Sequence, residues 1–176
     1  MSWSEWANWV DSYKEIIPDW AKDIRLNLDA VINRSSLEAV DAHACALAAA
    51  FATGDKSLVA AIRRDFKDVP EVNAALTAAA LMGMNNTWYP YVEMAADEDL
   101  KTQRPELRMN AYATFGGVTC GKFEMYALAA SIVGKCHFCI GSHYKLLKEH
   151  GITVTQLRDI GRIASVINAV SQVAGN

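Results

Sequence analysis

Proline and glycine are scarce, four and ten in 176 residues, too few for a fibrous or disordered chain. An excess of charge of either sign is lacking as well, with 17 Lys and Arg against 20 Asp and Glu. A formal net charge of −3 gives no electrostatic reason to expect nucleic acid. No apolar run approaches a membrane span; stretches such as 44–52 and 78–84 fall far short. The N-terminal Met1-Ser-Trp-Ser-Glu-Trp6 carries acid and indole where a secretory signal would carry basic residues and an apolar core. The chain is therefore expected in the cytoplasm, with neither membrane nor nucleic acid among its partners. Cysteine is limited to four residues. In a reducing compartment that argues against a disulfide scaffold and leaves a spaced pair to catalysis or metal binding.

Hydrophobic residues make up 52% of the chain and charged ones 21%, which suits one soluble globular domain, 1–176, with an apolar interior. Helical signals run from end to end without a convincing alternating strand, so the expected fold is all-α. Ser2-Trp-Ser-Glu5 reads as a capping box, followed at helical spacing by Trp3, Trp6, Trp9 and Tyr13, a face for the core or a subunit partner. Pro18 ends or bends that segment. Ser35-Ser-Leu-Glu38 reads as a second capping box, opening an Ala-rich helix through His43 and Cys45 to Gly54. Helices are expected over 56–66 and 72–84, the latter behind Pro70 in its first turn. Asn85, Asn86 and Pro90 should interrupt the pattern, with a short helix resuming at 91–96 and another at 103–110. Three glycines in 115–121 mark a loop holding Cys120, an exposed and incidental thiol. Helices follow at 122–133, broken by Gly134, and at 136–150, closed by Gly151; the last begins at Thr153 and runs to Val173. A faint echo between 80–88 and 131–139 raises two related helical halves as a further expectation.

The segment with chemistry is Cys136-His-Phe-Cys139-Ile-Gly-Ser-His143. On a helix, offsets of 0, 3 and 7 residues turn through about 0°, 300° and 340°, so two thiols and an imidazole share one face. A free thiol is only a few per cent ionised at neutral pH. A helix N-terminus near Cys136 favours an anion, His143 can take a proton from Cys139, and Glu124 on the preceding helix can tune that imidazole. The spacing alone leaves three readings open: dithiol redox chemistry, a metal site, and inert thiols. A CxxCxxxH run on one helix lacks the second ligand pair of most structural zinc sites. Cys45 reads as a small core residue, and His43 and His150 have no partner visible in the sequence.

These residues resemble the AhpD family, the alkyl hydroperoxide reductase D proteins of the carboxymuconolactone decarboxylase-like superfamily. The similarity runs from about Leu37 onward. It is carried by Leu81-Met-Gly-Met-Asn-Asn-Thr-Trp-Tyr89, by Arg104-Pro-Glu-Leu-Arg-Met-Asn110 and by the Glu–x11–Cys–x2–Cys–x3–His spacing from Glu124 to His143. The resemblance implies an all-α single AhpD-like domain with its redox motif in 124–143, a homotrimer, and hydroperoxide reductase activity in antioxidant defence. It makes Cys136–Cys139 a redox-active disulfide and Glu124 and His143 its proton relay, with no tightly bound cofactor and no metal. It further implies that dihydrolipoyl groups, from a lipoylated acyltransferase and dihydrolipoamide dehydrogenase system, recharge the pair, which passes electrons to the peroxiredoxin AhpC. Family members place a histidine immediately before the second cysteine, where this chain has Phe138. Its own extra histidine, His137, is a candidate auxiliary group expected to face solvent. In the mechanism this suggests, Cys139 meets the peroxide and Cys136, taken as the more accessible sulfur, meets the donor. The alternatives are a carboxymuconolactone decarboxylase-like enzyme, whose chemistry needs no CxxC pair, and a non-enzymatic metal-binding or redox-sensing protein.

Overall fold

In a computed structural model that describes residues 3–174, the chain folds into helices joined by short turns. They are α1 (Trp3–Trp6), α2 (Asn8–Ile16), α3 (Lys22–Asn33), α4 (Ala39–Thr53), α5 (Lys56–Asp65), α6 (Val69–Ala95), α7 (Glu98–Lys101), α8 (Asn110–Ala113), α9 (Cys120–Gly134), α10 (His137–Glu149) and α11 (Val154–Val173). No strand occurs among the described residues, which makes the architecture all-α as expected.

Two of these helices are apolar all round, and such helices belong in the middle of a bundle. In α4 every residue from Asp41 to Ala50 is buried, and in α9 every residue from Phe123 to Ser131. Their alanines allow close approach, so α4 and α9 pack on each other and on α6 and α11. Charges that enter this core are satisfied there. Lys122 Nζ lies 2.5 Å from Asp41 Oδ1 and 3.7 Å from Glu71 Oε1, while the Tyr126 hydroxyl bonds to both carboxylates. That network ties α4, α6 and α9 together at one level.

The N-terminal aromatics pack inward. Trp9 and Tyr13 are buried and Trp6 meets Phe66 edge-on at 5.0 Å. His43, between Trp6, Trp9 and Phe66, donates from Nδ1 to the Ala39 carbonyl at 2.8 Å, and burial pushes its pKa down. The Ser2 capping box and the side chain of Trp3 lie outside the described residues.

Four local expectations are corrected. The Ser35–Glu38 capping box does not form. Glu38 stands at the N-cap with no side-chain cap, Ser35 Oγ accepts from Leu37 N–H, and Ser36 N–H is drawn instead to Asp159 of α11 at 2.8 Å. Helix α6 continues through Asn85, Asn86 and Pro90. Contacts to α10 on either side of the proline, Tyr89 stacked on Phe138 and Glu93 bonded to His137, hold the turn that has lost one hydrogen bond. Residues 103–109 are not helical: those from 103 to 108 are all exposed, so a helix there would bury no face. The expected loop at 115–121 is shorter, because α9 already begins at Cys120, capped by Thr119. The echo between 80–88 and 131–139 is not repeated in local structure, since the first segment lies inside α6 and the second spans the break between α9 and α10.

Gly134 ends α9, yet the left-handed position is taken by Lys135, at φ 55°. Glycine is required at 134 for space. A Cβ there would stand 2.4 Å from Asn86 Nδ2, whose amide donates to the Ala130 carbonyl at 3.3 Å. Gly134→Ala should therefore separate α6 from α9 and lower unfolding free energy by about 1–3 kcal/mol, the usual cost of overpacking. Denaturant titration checks this.

Candidate redox-active site

The turn after Gly134 sets Cys136 as the N-cap of α10, where its sulfur accepts from Cys139 N–H at 3.2 Å. One turn in, Cys139 reaches back, and Cys136 and Cys139 are joined as a disulfide with Cα atoms 5.2 Å apart. His143 follows one turn later and buries its ring against α9 and α6. Its Nδ1 lies 2.5 Å from Glu124 Oε2, and its Nε2 lies 3.1 Å from Met82 Sδ. Glu124 is fully buried, a position an ionised carboxylate tolerates only with donors on it. His143 serves one oxygen; the Tyr112 hydroxyl donates to the other, Oε1. Burial and this bond push the Tyr112 phenol far up, so it remains a protonated donor.

A cavity of about 310 Å³ opens over this arrangement. Cys139 and His143 contribute to its lining together with Asn85, Tyr89, Met109, Tyr112, Phe138 and Ser142. Tyr89 and Phe138 form one wall as a stacked pair, centroids 4.3 Å apart. The lining thus mixes the aromatic rings of Tyr89, Tyr112 and Phe138 with the polar side chains of Asn85, Ser142 and His143.

The structure brings together four of the residues singled out by sequence: Cys136, Cys139, His143 and Glu124. The expectation that Cys136 is the more accessible sulfur is corrected. Cys136 is 0% exposed and does not line the cavity, whereas Cys139 does. The N-cap position tucks the Cys136 sulfur under the first turn of α10, and its position one turn in brings Cys139 to the cavity. His137 faces solvent, as expected, with its Nδ1 3.0 Å from Glu93 and no bond to either sulfur. Cys45 is a buried core thiol directed at the Met125 carbonyl. Cys120 lies outside the cavity with its sulfur 3.3 Å from His150 Nε2, a pairing invisible in the sequence. Burial and Glu124 push the Cys120 thiol up. Among the described residues no three His, Cys, Asp or Glu side chains group in a way that could hold a metal ion.

Sequence reasoning missed Tyr112, Met82, Asn85, Tyr89, Met109 and Ser142. A signal for most of them was present. Met82, Asn85 and Tyr89 lie within the family-like block 81–89, and Met109 within 104–110. Both blocks are far from the cysteines in sequence, and only the fold turns them toward the disulfide.

A family model described as the carboxymuconolactone decarboxylase family matches residues 98–175. Over nearly its whole length the chain is similar to proteins named alkyl hydroperoxide reductase AhpD. That of Hyphomonas neptunium is 35% identical over 167 residues, covering 93% of this chain and 92% of the relative. Those of Rhodopseudomonas palustris (strain BisB18) and Rhodospirillum centenum are each 37% identical, covering 92% and 93% of this chain and 91% and 89% of the relative.

Proposed function

This chain belongs to the alkyl hydroperoxide reductase AhpD family, and on that premise we propose that it reduces organic hydroperoxides through the Cys136–Cys139 dithiol. The observation that carries the reading is the placement of Cys139: bonded to Cys136 and lining one cavity with His143, which is bonded in turn to Glu124.

In the reduced enzyme His143, oriented by Glu124, takes the proton of Cys139. The thiolate attacks the terminal peroxide oxygen, the O–O bond breaks, and the alcohol leaves with a proton while Cys139 becomes a sulfenate. The Cys136 thiol then attacks that sulfur; the S–S bond forms and oxygen departs as water, with one proton from Cys136 and the other returned by His143. To reopen the bridge, a dihydrolipoyl thiolate attacks the Cys139 sulfur, since Cys136 is covered. Cys136 leaves as a thiolate held by Cys139 N–H and the N-terminus of α10, and a stabilised thiolate is the better leaving group. The second dihydrolipoyl thiol resolves the mixed disulfide and restores the Cys139 thiol. Within the same proposal, electrons reach this pair from a lipoylated acyltransferase and dihydrolipoamide dehydrogenase system in the cytoplasm. They pass on to the peroxiredoxin AhpC, and the enzyme assembles as a homotrimer. No helix among the described residues is long and apolar enough to cross a membrane.

The test is turnover of an alkyl hydroperoxide with dihydrolipoamide, run beside thioredoxin as donor. Consumption with dihydrolipoamide supports the reading; none with either donor overturns it. A decarboxylase would act through proton donors on a lactone acid and would have no use for the bridge.

The stacked wall makes a separate prediction. Phe138→Ala removes the outer ring of the pair, exposed by 58%. One aromatic contact is worth roughly 0.5–1.5 kcal/mol, so KM for an aryl hydroperoxide should rise about twofold to twelvefold, with little change for hydrogen peroxide. Steady-state kinetics on both substrates measure the difference.

A further inference from the structure

The carboxylate of Glu124 is held from two sides, and only one holder belongs to the relay described above. We propose that Tyr112 is a positioning residue for proton transfer. Its hydroxyl keeps Glu124 ionised and oriented, so that His143 carries its proton on Nδ1 and presents Nε2 as the base. This rests on the reading of Glu124 and His143 as the relay.

Geometry supports the assignment from three directions. Tyr112 donates to Glu124 Oε1 while His143 Nδ1 lies against Oε2, so the two bonds share one buried carboxylate without competing for an oxygen. The ring packs edge-on against Phe123 at 5.3 Å, which fixes the hydroxyl where Glu124 needs it. Tyr112 also lines the cavity beside Cys139 and His143, so its bond sits at the reaction chamber. The groups facing Glu124 are few. Tyr112 comes from α8, His143 from α10, and Cys120 from one turn earlier on α9; α6 contributes Met82 against the His143 ring, and Met82 does not titrate. Among the described residues the side chains bonded to Glu124 are those of Tyr112 and His143, so the carboxylate leans on these two donors.

A hydrogen bond to an anion favours the anion, and losing one raises the proton affinity of the carboxylate and of the imidazole coupled to it. Tyr112→Phe keeps the ring on Phe123 and removes only the hydroxyl. In the disulfide form, followed by NMR of the His143 ring carbon, the titration midpoint of the Glu124–His143 pair should move up by about one pH unit. The acid limb of kcat/KM for hydroperoxide should move up with it, the loss being confined to that limb. A midpoint that stays where it is in the folded variant overturns the proposal. So does a rate loss equal at every pH, which would make Tyr112 a packing residue. Should Tyr112→Phe fail to fold, 3-fluorotyrosine at position 112 supplies a more acidic hydroxyl and a stronger donor. The midpoint should then move down, and no movement overturns the idea. If the unaltered protein turns over no hydroperoxide but the midpoint still responds, the peroxidase reading falls and the role of Tyr112 stands.

Discussion

Cys139→Ser should bring hydroperoxide turnover down to the uncatalysed rate and leave no sulfenate at the site after peroxide treatment. The cavity reaches Cys139 and leaves Cys136 fully buried, so the remaining sulfur has no path to substrate. Cys136→Ser should also lose turnover, for a different reason: sulfenate forms on Cys139 but nothing condenses with it. Dimedone labelling with peptide mapping separates the two variants, and also distinguishes adducts on Cys45 or Cys120. Peroxide-dependent labelling of Cys136 in the Cys139→Ser protein, with none on Cys139 in the other, would reverse the two roles. Neither substitution removes core packing beyond one sulfur, so both proteins should melt as cooperatively as the parent under reducing conditions.

The second large effect belongs to the imidazole. With His143→Gln the Cys139 thiol must lose its proton to solvent. General base catalysis is worth roughly 10²–10⁴-fold, so a drop of about 10²-fold or more is expected at neutral pH. The sign of its pH dependence follows. Below its own pKa the thiolate fraction rises about tenfold per pH unit, so the variant should recover as pH climbs toward the free-thiol range near 8.5. The parent, with a base already in place, should change far less over that interval. Glu124→Gln removes the charge but keeps the shape, and should fall between the two. A flat ratio of variant to parent rates between pH 6 and about 9 would remove His143 from the relay.

Much of this site was legible before the fold. Cysteines three apart and a histidine four further on share a helix face by the arithmetic of 3.6 residues per turn; Cys139 and His143 do line one cavity, while Cys136, at the N-cap, bonds to Cys139 from beneath the first turn. Glu124 was legible for a weaker reason. It lies one helix upstream of a glycine break, and the antiparallel return of α10 along α9 carries His143 back to it. Helix ends were less reliable where a tertiary contact competes with a local signal. Ser36 N–H bonds to Asp159 in place of a cap, and Pro90 sits inside a helix held by Tyr89 and Glu93 against α10.

The chain's own order of residues determined the helical class and brought two cysteines and an imidazole within a few residues of one another, because each depends on short spacings. Only the tertiary structure decided which sulfur meets the cavity, that Lys135 and not Gly134 turns left-handed, and that Tyr112 completes the ring of donors around Glu124. Those outcomes depend on how closely α6, α8, α9 and α10 approach one another. Approach is set by summed packing across the core, and no short window of sequence contains that sum.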